Sequence, residues 1–135
     1  MINMEDILNA LKEKFNEATA LLDDTERVES LLQKLEKKLE TIPVVGEGLS
    51  VVPVMASLVR NYMRKEYTNI PKSSIVAIVA TFIYLLSPID LIPDSLGPIG
   101  YADDALVVAA CWKMVGSDVR AYEQWRDEHL NMLRK

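Results

Sequence analysis

The chain has 135 residues, half of them apolar, which is enough for one domain with a buried core and too few for two. Its net charge of −5 argues against sequence-independent binding to nucleic acid, which depends on clustered Lys and Arg. A single cysteine, Cys111, cannot form an internal disulfide, and the first residues lack the pattern of a secretion signal. We therefore expect a cytoplasmic protein with no nucleic-acid partner.

Residues 1–41 are predicted to form an amphipathic helical N-terminal region. Either Asp24 or Thr25 could cap a second helix, but no Gly or Pro marks a break, so one long helix and a helical hairpin both stay open. One continuous helix would be about 55 Å long and would protrude, which favours a protein partner or self-association. The alternative is that its apolar stripe packs on its own core. The stripe comprises Leu8, Leu11, Phe15, Ala18, Leu22, Val28, Leu32, Leu35 and Leu39.

Residues 42–135 are predicted to form a single globular helical unit. A helix is expected from Pro53, a favourable first-turn residue, to about Tyr67. A local basic stretch lies on and directly after this helix. If the apolar segments Ile75–Leu86 and Ala105–Val115 formed a shallow membrane hairpin, the positive-inside rule would place this stretch at the cytoplasmic surface. The stretch comprises Arg60, Arg64, Lys65 and Lys72.

A second helix, Ile75 to Leu86, is apolar except for Thr81 and the Tyr84 hydroxyl. A helix that is apolar all round is either the centre of a bundle or lies in lipid. Twelve residues span only about 18 Å, against about 30 Å for a bilayer core. We therefore predict that it is the central helix of a small bundle, with peripheral membrane contact left open.

The stretch from Ser87 to Asp104 contains three prolines, two glycines and four aspartates, and its prolines forbid a continuous helix. Carboxylates are the usual ligands of Mg²⁺ and Ca²⁺, which suggests a divalent cation. The alternative is loop scaffolding, in which two of the aspartates favour a helix N-terminus and one belongs to a turn. The candidate metal ligands are Asp90, Asp94, Asp103 and Asp104.

After this loop we predict an apolar helix that ends near Val115 and a last amphipathic helix capped by Ser117 and Asp118. The buried side of the last helix is expected to carry Val119, Tyr122, Trp125 and Leu130. The predicted fold is all-α: a small helical bundle with a central fully apolar helix, a long Pro/Gly/Asp loop and the amphipathic N-terminal region.

Nucleophilic catalysis has little support in the sequence. The one histidine, His129, lies among charged residues near the C-terminus, and Cys111 lies on an apolar helix, where it serves as a small hydrophobe. The Cys-x-x-Cys, phosphate-loop and zinc-helix motifs are absent from the sequence. No catalytic residue is assigned.

The segments Tyr84–Asp94 and Gly97–Asp104 resemble the signature of the YkvA family, a bacterial domain of unknown function. The resemblance covers about residues 62–125, and it departs from the family at Ser95–Gly97, where relatives are more apolar. It implies a small helical domain, sometimes found beside transmembrane segments, without an established activity. The motif residues are the candidate site: Ser87, Pro88, Asp90, Pro93, Asp94, Gly100, Asp103 and Asp104.

Two functions follow as expectations. The first is a non-enzymatic interaction module, without a cofactor, that binds a protein partner, a second copy through its N-terminal helix, or a membrane surface. The alternative is an enzyme or sensor that depends on a divalent cation held by the aspartates of the loop.

Overall fold

The computed structural model describes residues 4–41, 51–86 and 98–133. These residues form helices joined by turns and contain no strand, which confirms the predicted all-α fold. The helices of the described residues are α1 (Met4–Glu13), α2 (Phe15–Leu21), α3 (Thr25–Thr41), α4 (Val52–Met63), α5 (Lys72–Leu86) and α6 (Pro98–Leu133).

The N-terminal region is a helical hairpin and not one long helix. The chain turns between Leu21 and Thr25, and the Asp24 carboxylate accepts a hydrogen bond from the Arg27 N–H at 3.2 Å. Asp24 is therefore the residue that caps α3, since its side chain satisfies an N–H group that has no partner within the helix. Lys14 alone separates α1 from α2.

The apolar stripe of this hairpin packs on the core of the same chain. Its most buried members share one hydrophobic cluster with α4, α5 and α6. The two predicted regions, 1–41 and 42–135, therefore contribute to one core. These buried members of the stripe are Leu11, Ala18, Val28, Leu32 and Leu35. Leu21, which was not predicted, is buried, whereas the predicted Leu22 is half-buried.

α4 is shorter than the expected helix to Tyr67, because the backbone reverses at Lys65. Lys65 has a φ of 62°, in the left-handed region. The Glu66 N–H donates to the Asn61 carbonyl at 2.9 Å and the Lys65 N–H to the Tyr62 carbonyl at 3.0 Å, which is the Schellman arrangement that ends a helix. Tyr67 then folds back into the core, 4 % exposed.

α5 is the centre of the bundle, as its uniform apolarity predicts. It contacts each of the other five helices of the described residues. Most of its side chains are buried, and the hydroxyl of the buried Thr81 donates to the Ala77 carbonyl one turn earlier, at 2.9 Å. A polar group in this helix is thus satisfied without leaving it.

α6 corrects the prediction in two respects. Residues 98–104, expected in the loop, are helical, because Pro98 stands at the first position of the helix, where no N–H is needed. One helix follows instead of the predicted two. It continues without a break from Pro98 to Leu133, a length of about 54 Å at 1.5 Å per residue. Asp118 caps no new helix, because it lies inside this continuous helix, and its carboxylate accepts a hydrogen bond from the Ser74 hydroxyl of α5 at 2.6 Å. Residues 127–132 are exposed, including Leu130, which was expected on the buried side.

Candidate functional site

The candidate motif lies mostly outside the described residues. Ser87, Pro88, Asp90, Pro93 and Asp94 fall there, and their arrangement is not described. The remaining motif residues belong to the first two turns of α6, and only their backbone is described. These residues are Gly100, Asp103 and Asp104.

The divalent-cation hypothesis therefore stays a prediction. In residues 4–41, 51–86 and 98–133, no group of three or more metal-binding side chains comes together. A cation held by Asp90, Asp94, Asp103 and Asp104 would stabilise the folded state by mass action. A higher melting temperature in Mg²⁺, Mn²⁺ or Ca²⁺ than in chelator is the test of that hypothesis.

Cys111 is enclosed by the core, as predicted for a small hydrophobe. Its side chain is 0 % exposed, and its thiol donates to the Ala77 carbonyl of α5 at 3.9 Å. Burial raises the pKa of the Cys111 thiol to about 11, since the thiolate would lose its hydration. The thiol is therefore neutral at physiological pH and is not a nucleophile.

An open cleft lies where α2, α3 and the end of α5 meet, with a volume of about 460 Å³. We call it the basic cleft. It reaches Leu86, the last residue of α5, which directly precedes the motif residues Ser87 and Pro88 in the sequence. The residues that line it are Lys14, Glu17, Leu21, Arg27, Ser30, Leu31, Lys34, Ile83 and Leu86.

Helical spacing places the basic and apolar groups of the cleft together. Arg27, Leu31 and Lys34 lie four and three residues apart on α3, so they share one face of that helix. Ile83 and Leu86, three apart on α5, also line the cleft. Leu31, Ile83 and Leu86 are only half-buried, so the cleft has an apolar floor that solvent reaches.

The three cations of the cleft have no acidic partner among the residues that the structure describes. Within the described part of the chain, the side chains of Lys14, Arg27 and Lys34 form no ion pair or hydrogen bond. Glu17 is the one acid among the lining residues, so the cleft carries a local charge of about +2 in a protein whose net charge is −5. A local excess of positive charge attracts anions, and salt weakens that attraction.

The predicted basic stretch at residues 60–72 is arranged differently. Arg60 donates to both carboxylate oxygens of Glu29 on α3, at 3.0 Å and 2.9 Å for its closest bonds, and also contacts Glu36. Arg60 is therefore committed to an internal ion pair between α3 and α4. Arg64, Lys65 and Lys72 remain exposed.

A polar group inside the bundle is also fully satisfied. The Tyr122 side chain is completely buried, and its hydroxyl is hydrogen-bonded to the Ser57 hydroxyl at 2.5 Å and accepts a bond from Asn61 Nδ2 at 2.9 Å. The Tyr122 ring contacts Tyr67 edge to face, with centroids 5.2 Å apart. This cluster joins α4 to α6, and its buried polar groups are paired with each other, so its role is to stabilise the packing of these two helices.

Residues 74–110 match a family described as "Protein of unknown function (DUF1232)". Over 69 residues the chain is 28% identical to the "Uncharacterized membrane protein YkvA" of Bacillus subtilis (strain 168). The chain is YkvA-like. That alignment covers 51% of this chain and 65% of the relative, so the YkvA-like protein spans less than two thirds of the relative's length. No solved structure matches the chain.

The family match covers most of α5, residues 87–97 and the first turns of α6 in this YkvA-like protein. It includes Ile83 and Leu86 of the basic cleft, whereas the cations of the cleft come from residues 14–34. Sequence reasoning missed the cleft, although the alternation of Arg27, Leu31 and Lys34 at helical spacing was a visible signal. Among the described helices, none has a stretch that is both apolar and long enough to cross a bilayer.

Proposed function

We propose that this protein is a non-enzymatic helical module that binds peripherally to the cytoplasmic surface of an anionic membrane, with the basic cleft as its contact. The observation that carries the proposal is the set of three cations, Lys14, Arg27 and Lys34, which surround an apolar floor and have no ion pair within residues 4–41, 51–86 and 98–133. The name of the Bacillus subtilis relative, a membrane protein, supports the same assignment.

The energetics of such a contact favour weak and reversible binding. A Lys or Arg close to an anionic membrane surface contributes about 1 kcal/mol, so three contribute about 3 kcal/mol. The net charge of −5 opposes this attraction, and apolar contact of the floor with the interface adds to it. Binding is therefore expected to require anionic lipid and to decrease with salt.

The direct test is flotation of the purified protein with vesicles of phosphatidylcholine alone or mixed with phosphatidylglycerol, at low and high salt. The cleft variant carries Lys14→Gln, Arg27→Gln and Lys34→Gln. A matched control variant carries Lys65→Gln, Lys72→Gln and Lys113→Gln, which removes the same charge from exposed positions outside the cleft.

We expect the wild-type and control proteins to float with anionic vesicles at low salt and the cleft variant to remain in the bottom fraction. Loss of flotation in the control variant alone would assign the contact to other exposed bases, those at residues 65 and 72 first among them. A wild-type protein that never floats overturns the proposal and leaves a protein partner as the function to test.

A further inference from the structure

We propose that the basic cleft is a binding site for the alkyl chain and anionic head of one amphiphile, and not only a charged patch. This inference rests on the proposed function and extends it by naming the ligand. The predicted occupant is a phosphate- or carboxylate-headed molecule with one alkyl chain in the cleft, either a lipid of the bilayer or a free monoacyl compound.

The first support is that charged and apolar side chains line the same cleft. Arg27 and Lys34 are exposed and Lys14 is half-buried, so their charged ends can meet an anionic group in solvent. The apolar part of the lining is formed by Leu21, Leu31, Ile83 and Leu86. A surface that attracted a membrane by charge alone would need no such floor.

The second support is size. A volume of about 460 Å³ lies within the range of about 300–1,000 Å³ that is typical of small-molecule sites. The cleft is open, so a chain can enter from the side while its head remains in water. Each methylene group that is buried there should increase the affinity about fourfold.

The third support is charge complementarity at the rim. One monoanionic or dianionic head would match the local charge of about +2, which is the sum of three cations and Glu17. Ser30, exposed at the lip, supplies a neutral hydroxyl donor beside them. A cationic or uncharged head would leave the three bases without a partner.

The test uses decyl phosphate below its critical micelle concentration, with inorganic phosphate and the uncharged decyl maltoside as comparison probes. Amide chemical shifts of the wild-type protein report where each probe binds. We expect saturable shifts with decyl phosphate in residues 27–34 and 83–86, and none there with the other two probes. Equal shifts with inorganic phosphate, or shifts spread over the whole chain, overturn the inference.

Ser30→Trp is designed to fill the cleft from its lip without changing a buried residue. Ser117→Trp places the same side chain on an exposed position of α6 and is the matched control. Exclusion of two methylene groups predicts about fifteenfold weaker binding of decyl phosphate to the Ser30→Trp protein. The Ser117→Trp protein is expected to bind as wild type does.

The same variants separate the two proposals in the flotation assay. If the Ser30→Trp protein shows both weaker binding of decyl phosphate and weaker flotation with vesicles, the occupant is a lipid of the bilayer. If only its binding of decyl phosphate is weaker and its flotation is unchanged, the occupant is a free monoacyl compound, and membrane binding depends only on the cations. If wild type floats but never binds decyl phosphate, the inference fails while the proposed function stands.

Discussion

The Arg60 guanidinium of α4 holds the Glu29 carboxylate of α3 through both of its oxygens, with Nη2 to Oε1 at 2.9 Å and Nε to Oε2 at 3.0 Å. Such a bidentate pair has well-defined geometry and fixes the relative position of two helices. It joins the N-terminal hairpin to the rest of the bundle, and it withdraws Arg60 from the exposed basic surface.

This ion pair predicts a dependence of stability on pH. The hydrogen bond from Arg60 is the main cause that lowers the pKa of Glu29 below its ordinary value of 4.5. Its stabilisation is therefore fully present above that value and is lost as the pH falls through the lower pKa of the folded state. Glu29 is 40% exposed, so we expect only about 0.5 kcal/mol.

The measurement is urea unfolding of wild type and Glu29→Gln at pH 7 and at pH 3. The difference between the two proteins should be present at pH 7 and shrink at pH 3. Glu13→Gln, at an exposed position without an ion pair in the described residues, should show little difference at either pH. A Glu29→Gln effect that is unchanged at pH 3 would contradict the ion pair.

Removal of the buried hydroxyl in Tyr122→Phe should destabilise the protein. The variant leaves the Ser57 hydroxyl and the Asn61 amide without their partner, at a cost of about 1 kcal/mol. Tyr62→Phe is the control, since the half-buried Tyr62 hydroxyl has no hydrogen bond in the described residues. Equal midpoints of chemical unfolding for the two variants would contradict this interpretation.

Replacement of Lys65 by glycine should stabilise the protein. The left-handed φ of 62° is unfavourable for a side chain by about 1 kcal/mol, whereas glycine adopts it freely. Part of this gain is offset by the greater freedom of glycine in the unfolded chain, so we expect a net gain of about 0.5 kcal/mol. Lys65→Ala keeps the strain and should leave the unfolding midpoint near that of wild type.

Gly116→Ala in α6 should stabilise the protein less than a Gly→Ala substitution in a helix usually does. Alanine is preferred over glycine by about 1 kcal/mol within helices. A Cβ at position 116, however, would lie 3.0 Å from the Trp112 ring, which must move to admit it. Gly116→Ala should therefore give less than this gain in wild type and more of it in a Trp112→Ala background. Equal gains in both backgrounds would show that the ring moves freely.

Cys111 should be unreactive in the folded protein. Its side chain is 0 % exposed, so a reagent cannot reach it. Its thiol pKa is about 11, so the thiol stays protonated at pH 8. We expect no reaction with a thiol-specific chromogenic disulfide under native conditions and one equivalent in guanidinium. Fast native labelling would mean that α5 and α6 separate often in solution.

The amino-acid sequence alone determined the helical class, the central position of α5 and the burial of Cys111. Each of these follows from apolar residues at helical spacing, or from a segment with no polar face at all, and such local patterns need no knowledge of distant residues. The cap of α3 was also within reach, because Asp24 acts on an N–H group only three residues away.

Only the tertiary structure decided which distant groups meet. Ser74 and Asp118 have the residue types of helix caps, and their hydrogen bond across α5 and α6 depends on how those helices pack. The same holds for Arg60, which finds its partner 31 residues away, and for the basic cleft, whose walls come from α2, α3 and α5. Helical periodicity indicates which face of a helix is buried, but it does not specify the neighbour against which that face packs.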